Sequence, residues 1–357
     1  MPAFFRRLKA PIIVACAILL AALLWLGYVF YGPNTFEGAS ERIFYVSRGQ
    51  TFAAIVDSLA SQGIIREKGL FVFVAKLHGG ISRLQVGKYL FRSGVSNSEI
   101  FLAMRSGRGG MPIQVTLPEG LTARAQARLL NRQVGIDSSK YMRLVTDRSF
   151  ARSLGVDANS LEGYLFPETY VFTWQQDERE IVRKLVEQFM RFYVDSLRVR
   201  ERDMGWSTLQ VLTMASIVEG ESRIDDERPV IAGVYRNRLR KGMPLEADPT
   251  IQYILEEGPR RLLYSDLKLE SPYNTYRNRG LPPGPVNNPG LASILAALYP
   301  ADHNYYFFVA NGAGGHWFTT TFDEHRRMVR MARHRRALSR KAAAAKNAQP
   351  EIAGTRR

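Results

Sequence analysis

Cysteine is almost absent: the 357-residue chain has one, Cys16, and it lies inside an apolar run. Whatever folds outside that run can form neither a disulfide nor a thiolate metal site, and it carries no cysteine nucleophile. Metal chemistry has little else to draw on. The five histidines, His78, His303, His316, His325 and His334, show no His-x-x-x-His or Glu-x-x-His spacing. A G-x-S-x-G elbow is missing too, and the glycine cluster at 107–110 lacks the Lys-Ser/Thr pair of a phosphate-binding loop. Neither a metal nor another cofactor is expected.

Acidic residues are also short, 33 against 49 Lys and Arg, for a net charge of +16. The excess is terminal. Residues 326–357 carry eleven basic residues and one acid, Glu351, while Arg6, Arg7 and Lys9 add three positive charges at the other end. The stretch between them is nearly neutral, so a nucleic-acid partner is not expected. The tail reads as a fraying helix end and a solvated extension, with attraction to anionic lipid or wall polymer as the secondary reading.

What the chain does have is apolar surface: 46% hydrophobic and 11% aromatic residues, enough for a substantial core. The segment "KAPIIVACAILLAALLWLGYVFYG" opens a stretch with no charge from Ala10 to Phe36, long enough to span a bilayer. A cleaved signal peptide is the competing reading, but the run is longer than a typical signal core and no small-x-small site follows it. "IVAC" resembles a lipoprotein site only loosely, since most of the apolar run lies after Cys16. With the basic residues before the span and Glu37 after it, the positive-inside rule keeps the N-terminus cytoplasmic and exports the rest.

Beyond the span, "RIFYVSRGQTFAAIVDSLASQGII" reads as a strand from Ile43 to Val46, a turn at Gly49 and a helix capped by Thr51. A second helix, a strand in "QVGKYLFRSG" and a third helix stopped by the 107–110 glycines complete a β-α-α-β-α unit. "VTLPEGLTARAQARLLNRQVGI" repeats the opening strand, glycine turn, threonine and helix, with Gly120 and Thr122 matching Gly49 and Thr51. Further helices are predicted over 177–200, from the Ser207/Gln210 capping box to about Val218, over 226–240 and over 291–298. "SPYNTYRNRGLPPGPVNNPG" is too rich in Pro, Gly and Asn for helix or ladder, and "YYFFVA" with "HWFTT" makes a hairpin. The class is α+β. The expected organisation is a cytoplasmic N-terminus at 1–9, a transmembrane helix at 10–31, the small module at 40–110, a mixed domain at 111–335 and a basic flexible tail at 336–357.

The remaining chemistry is that of carboxylates among aromatics and amides, a setting that suits sugars. In "TMASIVEGES", Glu219 follows a buried-looking apolar run at a helix end, where the partial negative charge and desolvation both favour the protonated acid. Such an acid can protonate a glycosidic leaving oxygen. Glu221 is either a like-charged neighbour that raises it further or a partner for Arg223 or Arg228; solvation of both glutamates at a helix end is the bland alternative.

The blocks "LEGYLFPETY", "TMASIVEGES", "RPVIAGVYRNRL", "MPLEADPTIQY", "SPYNTYRNRGLPPGPVNNPG", "SILAALYPA" and "YYFFVANGAGGHWFTTTFDEH" occur in fixed order. They resemble the MltG-type (YceG-like) endolytic murein transglycosylases, specifically over 161–325 and more weakly over 40–110, where that family carries a LysM-like module. The resemblance implies cleavage of the N-acetylmuramic acid to N-acetylglucosamine β-1,4 bond within peptidoglycan glycan strands, leaving a 1,6-anhydro-muramoyl end. It places the catalytic acid on Glu219, a supporting role on Glu221, the enzyme in the bacterial inner membrane facing outward, and the penicillin-binding synthases as partners. Candidate cleft residues are Tyr164, Glu168, Asn274, Tyr276 and His316; core packing is an equal reading for Tyr164 and Tyr276, and Asp248 reads equally as a turn cap. Gly220 stands where the family often has a larger polar residue, which is expected to loosen the helix end. A non-catalytic scaffold and a lysozyme-type hydrolase are the alternatives.

Overall fold

The computed structural model describes residues 2–107, 110–255 and 258–347. Arg108 and Gly109 of the glycine cluster, and the last ten residues of the basic extension, lie outside the described residues. The chain divides into two compact units, one of Met1–Val115 with Leu130–Ile136 and Tyr170–Asp177, the other of Thr116–Leu129, Asp137–Thr169 and Glu178–Arg357.

The first unit opens with helix α1 (Pro2–Tyr31), whose Ile12–Tyr31 stretch has a mean hydropathy of 2.7 and is long and apolar enough to cross a membrane. Strands β1 (Pro33–Asn34) and β2 (Glu41–Val46), helices α2 (Phe52–Ser61) and α3 (Lys68–His78), strands β3 (Gly87–Arg92) and β4 (Val95–Ser96), and helix α4 (Asn97–Ser106) follow. β2 and β3 pair antiparallel, Glu41 opposite Arg92 and Val46 opposite Gly87. The β-α-α-β-α order anticipated from the pattern is thus present, with β1 and β4 as an added short pair. Local chemistry explains the boundaries. Thr51 accepts the Ala54 N–H, Ser96 and Glu99 form a capping box, and Gly107 ends α4 at φ 70°, where a Cβ would be strained. Phe44, Ile55, Leu59, Phe71, Tyr89 and Phe101 fill the core. The lower end of α1 is built into this unit: Val29 is buried, its carbonyl accepts the Asn97 amide at 3.0 Å, and Asn97 accepts from Asn34 at 3.1 Å. The return segment at 170–177 is held by the Tyr45–Trp174 ring contact and by Arg48 donating to Gln175.

Strand β5 (Ile113–Thr116) leads to helices α5 (Ala123–Val134), α6 (Ser138–Val145) and α7 (Arg148–Ser153), and strand β6 (Thr169–Phe172) pairs with β5. Gly49 and Gly120 are both left-handed, with φ 77° and 75°, and the threonines two residues on, Thr51 and Thr122, accept the N–H groups of Ala54 and Ala125. The helix expected over 177–200 is two helices, α8 (Glu178–Phe192) and α9 (Asp195–Asp203). Tyr193 turns inward, stacks on Phe189 and donates to Glu201, while Val194 is extended and serves as the cap of α9. Asp195 then begins the new helix, where the dipole favours an acid.

Helix α10 (Thr208–Glu221) opens with the Ser207/Gln210 capping box and has eight consecutive buried residues, Val211 to Val218. A helix apolar on every side is a core helix, and α11 (Arg228–Arg240) and α13 (Leu291–Leu298) pack on it. α11 begins two residues later than expected because a 3-10 turn, Asp225–Glu227, precedes it. Helix α12 (Asp248–Ile254) lies between α11 and α13 in sequence; Ala247 is its cap residue, so Asp248 starts the helix rather than capping it. β7 (Phe307–Ala310) and β8 (His316–Thr319) form the anticipated hairpin, and α14 (Phe322–Asn347) runs on through the start of the basic tail.

Candidate active site

α10 does not stop at Val218 but continues through Glu221, so both glutamates belong to its last turn. Gly220 does not loosen that turn. A Cβ there would stand 2.6 Å from Pro249, so glycine is what lets α10 pack against the start of α12. The helix is also clamped by the "PVNNPG" loop: Val286 N–H donates to Ser216 Oγ at 2.9 Å, and the Asn287 amide donates to the Ser216 carbonyl at 2.8 Å.

Glu219 is nearly buried, its side chain 7% exposed, and it is anchored through one oxygen. Oε2 accepts from Arg228 Nη1 at 2.8 Å, from Ser293 Oγ at 2.8 Å and from the Gly290 backbone N–H at 3.0 Å. Oε1 takes no donor among the described residues. Arg228, itself buried, also pairs with Asp225 at 3.0 Å and stands 3.7 Å from Glu119. Arg228 therefore partners Glu219, not Glu221. Partial burial, and then the Glu219 charge, push the Glu119 carboxyl up.

The loop carrying Glu119 and Gly120 is stitched down by Asn288. The Asn288 carbonyl accepts the Gly120 N–H, its amide donates to Leu121 O and to Glu162 Oε1, and its Oδ1 accepts the Gly163 and Leu165 N–H groups. Gly120 comes so close to Glu219 that a Cβ would sit 3.4 Å from Cγ. Glu162 Oε1 also accepts the Ala123 N–H at the start of α5, and burial raises its carboxyl to about 8. Burial likewise raises Glu221 to about 7, against the hydrogen bond it accepts from the Tyr235 hydroxyl at 2.7 Å.

These groups border one cavity of about 1050 Å³, lined by Glu119, Gly120, Glu162, Glu219, Glu221 and Asn287, with Tyr253, Gln252 and three arginines on its walls. A volume of that order holds several sugar-sized groups. Of the residues expected from sequence, Glu219 and Glu221 come together here. The others lie elsewhere. Tyr164 is core, its ring edge-on to Phe189. Glu168 is exposed and accepts the N–H of Thr169. Asn274 is buried and holds its own loop, donating to Leu267 and Leu269 carbonyls and accepting the Tyr276 N–H. Tyr276 donates to Asp248 at 2.6 Å. His316 donates its backbone N–H to Glu227 and sets Nδ1 2.7 Å from the same carboxyl; burial opposes that group's charge, but these bonds hold it below the usual range. Glu227 immediately precedes Arg228, so His316 bears on the site at one remove.

Sequence reasoning passed over Glu119, Glu162, Ser293 and Asn288. The signal for the first was its place beside a turn glycine already singled out at Gly120. Ser293 and Asn288 carry no local signal, since only the fold brings them to α10.

A model of the YceG-like family matches residues 44–331. The chain is similar to a Bacillus subtilis protein named endolytic murein transglycosylase, 32% identical over 78% of this chain and 81% of that one. A Streptococcus pneumoniae protein of the same name is 26% identical over 80% of this chain, which spans 57% of its length. A crystal structure of a YceG-like protein from Listeria monocytogenes superposes with a TM-score of 0.59 at 30% identity, covering 81% of this chain and 98% of that one. With a match over most of its length and relatives of this similarity, the chain belongs to the YceG-like family.

Proposed function

We propose that the protein is a membrane-anchored endolytic murein transglycosylase whose single general acid and base is Glu219. The observation that carries this reading is the one-sided anchoring of Glu219: three donors on Oε2 and, among the described residues, none on Oε1, at the edge of a large cleft. In the protonated acid, Oε2 is the carbonyl oxygen that accepts those bonds, and Oε1–H donates to the glycosidic oxygen. As the bond from C1 to that oxygen breaks, the proton passes to the leaving sugar and Glu219 becomes a carboxylate beside Arg228. The carboxylate then takes the proton of the muramoyl C6 hydroxyl, and O6 closes onto C1 to give the 1,6-anhydro ring. No water and no covalent enzyme intermediate is required, unlike ordinary glycoside hydrolysis.

A second reading has its own observation. Glu119 lies close enough to Glu219 for its carboxyl to be raised by that charge, and a second carboxylate is what a hydrolase uses to activate water. The product discriminates. Digestion of purified peptidoglycan by the full chain in detergent, followed by mass spectrometry, gives anhydro-muramoyl ends under the first reading and reducing muramic acid ends under the second.

Residues 10–31 act in this reading as an anchor with the N-terminus in the cytoplasm, which places the rest of the chain outside the inner membrane. The β-α-α-β-α fold over 40–110 is read as a LysM-like module for glycan or protein. Tethering to the membrane suits action on nascent strands beside penicillin-binding synthases, so the enzyme ends strand elongation; unchanged glycan length in a strain lacking it counts against that role.

A further inference from the structure

Three arginines on the cleft wall have no assigned work. Arg124, Arg128 and Arg223 line the same cavity as Glu219, are exposed, and have no ion pair or hydrogen bond among the described residues. Arg228 is the contrast, since it is buried and shared among Glu219, Asp225 and Glu119. Arg124 and Arg128 are four residues apart on α5, so they share one face and stand about 6 Å apart along the axis. Arg124 also lies near enough to Glu162 and Tyr253 for its charge to act on both. The cleft thus has an acidic end at the last turn of α10 and a basic wall along α5.

The sugar rings of a glycan strand carry no charge that a basic wall could recognise. The stem peptides do. They hang from the muramoyl residue, and under the proposed function the C1 atom of that residue must lie at Glu219. A peptide carboxylate on the same sugar, carried beyond the lactyl arm, can therefore reach the cleft wall within roughly 10 Å of the reacting bond. Guanidinium groups present a planar fork that matches a carboxylate, and those not already paired are available for it.

We propose that Arg124 and Arg128, with Arg223, bind the carboxylates of the stem peptide, so that the enzyme acts on peptide-bearing strands in preference to strands whose muramoyl residues carry neither peptide nor a free carboxylate. This rests on the proposed function and adds its substrate class.

The test uses the full chain in detergent on two substrates, glycan strands with stem peptides and the same strands stripped by an amidase, with the lactyl carboxylates that the amidase exposes converted to neutral methylamides. The expected ratio of kcat/KM is about fivefold in favour of the peptide-bearing strand, the upper size of one exposed arginine–carboxylate contact. The R124A/R128A variant brings the ratio to about one, and R124K/R128K leaves an intermediate value; because the readout is a ratio within one protein, loss of folded enzyme does not mimic it. A wild-type ratio of one, or a ratio unchanged in R124A/R128A, overturns the inference while leaving the activity standing. Cleavage of neither strand sinks the function instead, and binding of the free stem tetrapeptide then decides: arginine-dependent binding supports the basic wall as a peptide site, and none overturns it. Inorganic pyrophosphate that binds at the arginines and displaces the peptide overturns it in favour of a phosphate ligand.

Discussion

Replacing Glu162 with glutamine changes the pH dependence of stability in a direction the structure fixes. Burial holds the Glu162 carboxyl at about 8 in the folded chain, against an ordinary value of 4.5. Throughout that window the folded state keeps a proton the unfolded state has lost, so stability falls as pH rises, and the contribution is fully favourable only below the unfolded value. Each pH unit costs about 1.4 kcal/mol, so complete ionisation costs on the order of 5 kcal/mol. Glutamine keeps the oxygen that accepts from Ala123 and Asn288 but never ionises. The expected result is similar stability for wild type and Glu162→Gln near pH 5, with the variant gaining about 1.4 kcal/mol per pH unit up to about pH 8 and no further gain above it. Urea unfolding of the full chain in detergent, followed by near-UV circular dichroism at half-unit intervals, measures the difference. Parallel curves for the two proteins between pH 5 and 8 refute the argument.

Arg228→Met removes the buried guanidinium that donates to Glu219 Oε2 and pairs with Asp225, and a loss of about 1–3 kcal/mol in stability is expected together with a collapse of kcat; a variant with wild-type melting behaviour and rate contradicts the pairing. Gly220→Ala forces a Cβ against Pro249 and should cost about 1–3 kcal/mol, read from the same urea curves, whereas an unchanged midpoint means that the two helices part without penalty. Asn288→Ala removes a side chain bonded to Gly163, Leu165, Leu121 and Glu162, so about 2–4 kcal/mol of destabilisation is expected, with faster amide exchange at Gly163 and Leu165 as the local signature.

The elements with strong local signals were legible before any coordinates. The β2-α2-α3-β3-α4 order follows from period-two and period-3.6 patterning with glycine stops, and the Ser207/Gln210 box marks the start of α10. The ends of helices were harder. Ile181, Leu185, Phe189 and Phe192 form an apolar stripe at helical spacing that shows no stop, whereas the helix ends at Phe192, where Tyr193 turns in onto Phe189 and Glu201. α10 outlasts its apolar run because its last turn is supported from outside, by Pro249 against Gly220 and by three donors on Glu219. The site was half legible for the same reason. Glu219 and Glu221 lie within one motif, whereas the groups that hold Glu219 come from Gly290 and Ser293, more than 70 residues away, and from Arg228 on the next helix. Asn274 and Tyr164 looked like cleft residues because amides and aromatics also build loops and cores, and a motif does not reveal which way a side chain turns.

The most direct test of the account compares wild type with Glu219→Gln, full chain in detergent, on purified peptidoglycan, with the released fragments identified by mass spectrometry. Anhydro-muramoyl ends from wild type and none from the variant are predicted, since glutamine cannot supply the proton from Oε1. Equal release of those ends by Glu219→Gln contradicts the central claim and moves the acid to another carboxylate of the cleft, with Glu221 and Glu119 the next to replace.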